Sequence, residues 1–260
     1  MANTQSTTHK TAQFARTIDS NKLNSLACFH WLALAIKDFQ KAPAISFVYG
    51  MLFSVIPVAI YFLVFSTENH LIILPATIAF ALIGPAFAAG LYDVAWEIEK
   101  GHQPTFGHSL KSMFRNPVGE WGFAILLMIC MVAWTRVAAL IHALYPNTTN
   151  PTFEELTFFL GFGTIVGAIM AAIVFTISAF TPQIMVERRV DIMTAVATSA
   201  KAVNNNVWPM FIWAGVIAAS VLIGFLTAGF GFIIIMPLLS YASWHAYIAT
   251  IKTKRQRKYE

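Results

Sequence analysis

Apolar residues recur along this chain in long, almost unbroken runs separated by short polar stretches. Six runs stand out: Ala44 to Phe65, Leu71 to Ala95, Trp121 to Tyr145, Phe158 to Phe180, Val207 to Leu226 and Gly231 to Thr250. Each holds about 20 to 25 residues, enough at about 1.5 Å per residue to cross the hydrocarbon core of a bilayer, where only a helix satisfies its own backbone. The pattern predicts an all-α, polytopic membrane protein with six transmembrane helices. Only 227–230 separates the last two runs, with Gly229 and Gly231 as the break, so a single interrupted helix is the alternative there. Three linkers, Leu23 to Gln40, Phe106 to Arg115 and Asp191 to Val203, mix apolar and basic positions at near-helical spacing, as helices lying in the headgroup layer do.

These linkers resemble one another. Lys37 lies six residues before Pro43, Lys111 six before Pro117, and Lys201 eight before Pro209; Pro85, Pro182 and Pro237 mark the even-numbered runs. The spacing predicts a threefold internal repeat of one amphipathic segment followed by a pair of spans. The domain plan is then a disordered polar tail over 1–25, a membrane domain over 26–250 and a polybasic tail over 251–260.

Composition strengthens this reading: 57% of the 260 residues are hydrophobic and 11% charged, more apolar than a water-soluble core of this size can bury. The net charge of +5 matters less than its placement. All but one of the 17 lysines and arginines fall before the first run, after the last, or in the second and fourth loops; the exception is Arg136. The positive-inside rule puts both termini in the cytoplasm, and the basic tail is expected to meet anionic lipids rather than nucleic acid. The first 25 residues lack the apolar core of a secretory signal. Cys28 and Cys130 cannot make a disulfide framework or a zinc site.

Candidate chemistry is sparse. Arg136 lies about 22 Å along a helix from Trp121 and about 14 Å from Tyr145. It either lines a pathway or snorkels to the outer face beside Glu154 or Glu155. Asp93, Glu120, Glu187 and His245 sit at the cytoplasmic ends of runs, where they form an interfacial polar cluster or solvated helix ends. Of seven histidines only His142 and His245 lie in runs, near opposite faces, so neither a haem nor a metal centre follows. Hydrolase, metalloprotease and phosphate-loop motifs are absent, so no catalytic residue, cofactor or enzymatic activity is expected. Small residues four apart, Gly163 with Gly167, Gly84 with Ala88, and Gly215 with Ala219, mark close helix packing within a bundle or a homo-oligomer.

Two motifs carry a family resemblance: Trp31-x5-Lys37-Asp38-x4-Pro43-x2-Ser46-x2-Tyr49-Gly50, and Gly84-Pro85-x4-Gly90-Leu91-Tyr92-Asp93-x2-Trp96-x2-Glu99-x-Gly101. Through them the chain resembles the bacterial integral membrane proteins catalogued as domain of unknown function 2189, most closely over 26–101. The resemblance implies an inner-membrane protein of about six helices and supplies no activity. Some members carry a cytochrome c oxidase label, but the multiple intramembrane histidine ligands of that enzyme are missing here. Two functional classes remain: a carrier-like protein binding a lipid or small molecule, and a non-catalytic accessory or scaffold subunit of a membrane complex.

Overall fold

The computed structural model describes residues 17–67, 73–143, 145, 152–188 and 190–252, with the backbone alone for Tyr61, Val64, Thr67, 73–83 and Glu155. The described residues form helices and no strand. In chain order the helices are α1 (Ala27–Lys41), α2 (Pro43–Thr67), α3 (Ile73–Glu99), α4 (Phe106–Ser112), α5 (Pro117–His142), α6 (Phe153–Ser178), α7 (Thr181–Glu187), α8 (Ile192–Asn205), α9 (Val207–Leu226) and α10 (Phe232–Thr250). The three linkers read as amphipathic segments are the short helices α1, α4 and α8.

Among the described residues, five stretches are long and apolar enough to cross a membrane: Pro43–Ile60, Pro117–His142, Leu156–Glu187, Val207–Leu226 and Phe232–Thr250. The third takes in both α6 and α7. The run expected at 71–95 falls in α3, a continuous 27-residue helix, but its first part lies outside the described side chains. The tail residues 1–16 and 253–260, Arg189, and most of the loops after α2 and α5 also lie outside the described residues.

Local sequence sets the helix boundaries. Asn116 caps α5 by accepting from Gly119 N, with Pro117 in the first turn, and Asp191 caps α8 by accepting from Thr194 N. Pro57, Pro85 and Pro237 are accommodated inside α2, α3 and α10, which continue through them. The last two runs form two helices. After α9, Ala228 N donates to Phe225 O and Gly229 N to Gly224 O, the bond pair of a Schellman stop. Ala228 carries a φ of 52° there, a left-handed conformation that costs a β-carbon about 1 kcal/mol. Ala228→Gly is therefore expected to stabilise the protein by about 0.5 to 1 kcal/mol, read as a higher unfolding midpoint in detergent.

The buried core gathers at one end of the bundle, the end that carries α1, α4 and α8. Trp31 of α1 meets Trp213 of α9 edge to face at 5.7 Å, and Trp244 of α10 packs on Tyr92 and Trp96 of α3 and on Tyr247. Helix α10 is the axis of this core and packs against α1, α2, α3 and α9. The described residues before α1, 17–26, belong to the same end. Ser20 bridges Ile251, Asn21 N donates to Thr250 O at 2.7 Å, and Leu23 N donates to Asn206 Oδ1 at 2.9 Å. At the opposite end α5 and α6 expose Ile129, Leu140, Phe158, Ile165 and Ile169.

Candidate functional site: a buried polar layer at one end of the bundle

Three carboxylates lie at the core-bearing end, each held by a partner distant in sequence. Asp93, near the end of α3, is 1% exposed. Its Oδ2 stands 2.7 Å from His108 Nδ1 of α4, and its Oδ1 accepts from Arg115 at 3.2 Å. Asp38 of α1, 5% exposed, has Oδ2 at 2.7 Å from His245 Nε2 of α10. Glu187, the last residue of α7, accepts from the Tyr247 hydroxyl of α10 and from the neighbouring Arg188 Nε at 3.4 Å. A carboxylate this buried is retained only with charge or hydrogen-bond partners, and each of the three has them.

Hydroxyl groups fill the space between. The Ser46 and Tyr241 hydroxyls lie 2.7 Å apart, those of Tyr49 and Ser109 lie 2.8 Å apart, and Ser109 Oγ also donates to Gly90 O. Gln183 Nε2 donates to the Tyr92 hydroxyl at 3.3 Å, while Gln183 Oε1, Glu120 Oε1 and Asn116 Nδ2 are buried without partners.

One turn beyond Asp93 on the same face of α3, Glu97 begins the exposed rim. Gly101 ends this helix with a φ of 80°, its N bonded to Ile98 O and His102 N to Glu97 O, so the chain doubles back over the last turn. Glu97 then receives Lys100 Nζ on Oε1 and His102 Nδ1 on Oε2, both at 2.8 Å. The Lys100 and Arg115 cations also lie over the Trp96 ring, at 3.9 Å and 5.1 Å from its centroid. Burial acts to raise the Glu97 pKa, but the hydrogen bonds from Lys100 and His102 outweigh it and hold the carboxyl below its ordinary value. The folded-state pKa is the lower one. Glu97's contribution to stability is thus fully present above its unfolded pKa of 4.5 and is lost as the pH falls through the folded value. In unfolding titrations from pH 6 downward, Glu97→Gln is expected to remove part of this acid-side loss.

Beside this rim a cavity of about 610 Å³ opens between the α1–α2 junction and the α3–α4 loop. Lys41, His102 and Gln103 give it polar walls, and Ile45, Ile98 and Pro104 apolar ones.

The residues marked in the sequence divide accordingly. Asp93, Glu187 and His245 all join the buried layer, each with its own partner. Glu120 sits half-buried in the first turn of α5 with Oε1 unpartnered. Arg136 is exposed on α5 and has no partner among the described residues. Asp38, His108 and Tyr247 are not among the site candidates read from the sequence, although Asp38 belongs to the first family motif. The first two lie in linkers read as anchorage, and Tyr247 gives no signal by charge. Among the small residues, a Cβ on Gly163 would meet Ile141 at 3.5 Å and one on Gly167 would meet Trp134 at 3.3 Å. Gly84 and Gly215 have nothing within 4 Å among the described residues. The tightest approaches are at Gly224 and at Gly50 and Gly90, the last two read in the sequence as motif positions and not as packing residues.

Several helices of membrane-spanning length, apolar on their outer faces and joined through a buried polar layer at one end, define an integral membrane protein of the polytopic helical class. Residues 73–187 match the model of the family described as Predicted integral membrane protein (DUF2189), so the family resemblance holds over that stretch. It includes the Gly84 to Gly101 motif and leaves the Trp31 to Gly50 motif outside the match. No curated protein and no solved structure matches the chain.

Proposed function

We propose that this protein is a carrier-like, non-enzymatic binder of an amphipathic anion, of the phosphate-bearing lipid or small-molecule class, at the membrane interface. The observation carrying this reading is the cavity between Lys41 and His102. The Lys41 ammonium beside an apolar wall suits a ligand with an anionic head and a hydrocarbon body. Arg136, exposed and without a partner among the described residues, fits snorkelling to the far interface better than a place in a polar pathway.

The proposal includes six spans, with α3 as the sixth, in a bacterial inner membrane. Both termini are cytoplasmic, with α1, α4 and α8 in the inner headgroup layer and the basic tail on anionic lipid. Three units of one short helix and two long ones support the repeat: α1 to α3, α4 to α6, and α8 to α10. Ala35, Ser109 and Ser199, each two residues before the linker lysine, are all buried. Ser109 Oγ donates to Gly90 O and Ser199 Oγ to Thr176 O, each reaching the last long helix of the preceding unit. Asp93 and His245 stand eight residues after Pro85 and Pro237, and each meets the short helix of the next unit in cyclic order.

Native mass spectrometry of the protein extracted in mild detergent with endogenous lipids tests the binding. A specific anionic amphiphile retained by the native chain and lost from Lys41→Ala supports it. A chain that carries no such ligand, or that retains it equally in Lys41→Ala, overturns it. The exposed outer faces of α5 and α6 favour a second reading, an accessory subunit of a membrane complex. A stoichiometric protein partner in the same spectrum would support that one.

A further inference from the structure

We propose that Asp93, Glu97, His102 and His108 form a binding site for one divalent transition-metal ion of the zinc class. Asp93 and Glu97 are one helical turn apart on α3 and present their carboxylates to the same side. The Gly101 turn returns His102 to this face, and Thr105, accepting from His108 N at the start of α4, places His108 there too.

The division of the oxygens points to a metal. Each carboxylate gives one oxygen to a permanent cation: Asp93 Oδ1 to Arg115 at 3.2 Å and Glu97 Oε1 to Lys100 at 2.8 Å. Each gives its other oxygen to an imidazole: Asp93 Oδ2 to His108 Nδ1 at 2.7 Å and Glu97 Oε2 to His102 Nδ1 at 2.8 Å. One donor atom each from Asp93, Glu97 and His108 lie within 4.8 Å of one another, and His102, outside that group, joins it by turning in from its contact with Glu97 Oε2. Donors about 2.0 to 2.2 Å from a tetrahedral zinc stand roughly 3.3 Å apart, slightly more than the 2.7 and 2.8 Å that separate the carboxylate oxygens from the imidazoles. Bound through Nδ1, each neutral imidazole keeps its proton on Nε2, and the ion takes the place of the two bridging hydrogen bonds. Arg115 and Lys100 remain on the outer oxygens and hold the carboxylates in position, the part that second-shell groups play at such centres.

Two nitrogens with two oxygens suit zinc, cobalt or nickel, whereas magnesium and calcium prefer oxygen alone. The Asp93 side chain is 1% and the Glu97 side chain 13% exposed, so these are not solvated surface acids, and His102, 64% exposed, gives an ion access from water. The histidines that converge lie outside the apolar runs. A search for imidazoles at matched depth within the spans therefore passes over them.

The test is titration of the full chain, in mild detergent and with its purification tag removed, with Co²⁺ as the spectroscopic probe and Zn²⁺ as competitor. The expected result is one equivalent of Co²⁺ with tetrahedral visible absorption, displaced by Zn²⁺. His108→Ala and Glu97→Gln should each weaken binding at least about 100-fold, and His142→Ala should leave it unchanged. If His108→Ala fails to fold, His102→Ala takes its place, since its exposed side chain can be removed without opening the core; a loss of at least about 10-fold is expected. Absence of stoichiometric Co²⁺ binding, or binding that survives these substitutions, overturns the site.

Discussion

His245→Ala is expected to destabilise the protein by about 3 to 5 kcal/mol, the cost of leaving a buried carboxylate without its partner. Asp38 has only 7% of its side chain exposed, and His245 only 15%. Their 2.7 Å contact joins α1 to the end of α10, the helix on which the core is built. The substitution deletes a donor, and the residue left behind is the one that burial penalises most. Replacing both partners, as in Asp38→Leu with His245→Leu, removes the stranded charge and should recover most of the loss, because apolar pairs often substitute for buried ion pairs at little net cost. Chemical unfolding in detergent micelles, followed by tryptophan fluorescence from Trp31, Trp213 and Trp244, measures both variants. A single-substitution effect under about 1 kcal/mol would show that water reaches Asp38 and that the pair is a surface contact.

The same pair shows where sequence reasoning stops. Hydropathy runs report whether a stretch can cross a bilayer, and α2, α5, α6, α9 and α10 all fall on runs read that way. Amphipathic spacing likewise locates α1, α4 and α8. Depth along a run marks Asp93, Glu187 and His245 as groups needing an explanation. It cannot supply their partners, since Asp38 and His245 are 207 positions apart and nothing local couples them. Arg136 illustrates the opposite case. Its charge makes it the most conspicuous residue in the spans, yet charge carries no information about which way a helix face turns, and this one turns outward. Asp38 and His108 are inconspicuous because they lie in linkers whose basic residues suggest anchorage, and only the packing of those linkers onto α10 and α3 buries what they bond to.

The glycine at α2's crossing with α10 carries the second large effect: Gly50→Ala is expected to cost at least about 3 kcal/mol. A Cβ at Gly50 would fall onto the backbone carbonyl of Ile233, with the carbonyl carbon at 2.6 Å and the Cα at 2.9 Å. Backbone cannot turn aside as a flexible side chain can, so the helices themselves must separate. That movement stretches two bonds on the same stripe. Ser46, four residues before, pairs with the Tyr241 hydroxyl at 2.7 Å, and Ser54, four residues after, donates to Gly229 O at 2.8 Å. Ser46, Gly50 and Ser54 thus make a small-residue face on α2 of the kind that lets membrane helices approach closely, with hydroxyls that bond across the gap. The spacing is present in the sequence, but it is no stronger there than at Gly215 and Ala219. What separates them is the neighbour: Gly215 has nothing within 4 Å among the described residues, so Gly215→Ala should change stability by less than about 1 kcal/mol. Parallel unfolding of the two glycine variants isolates the effect of close approach from the helix preference of alanine. Equal stabilities would mean that α2 and α10 do not cross at Gly50.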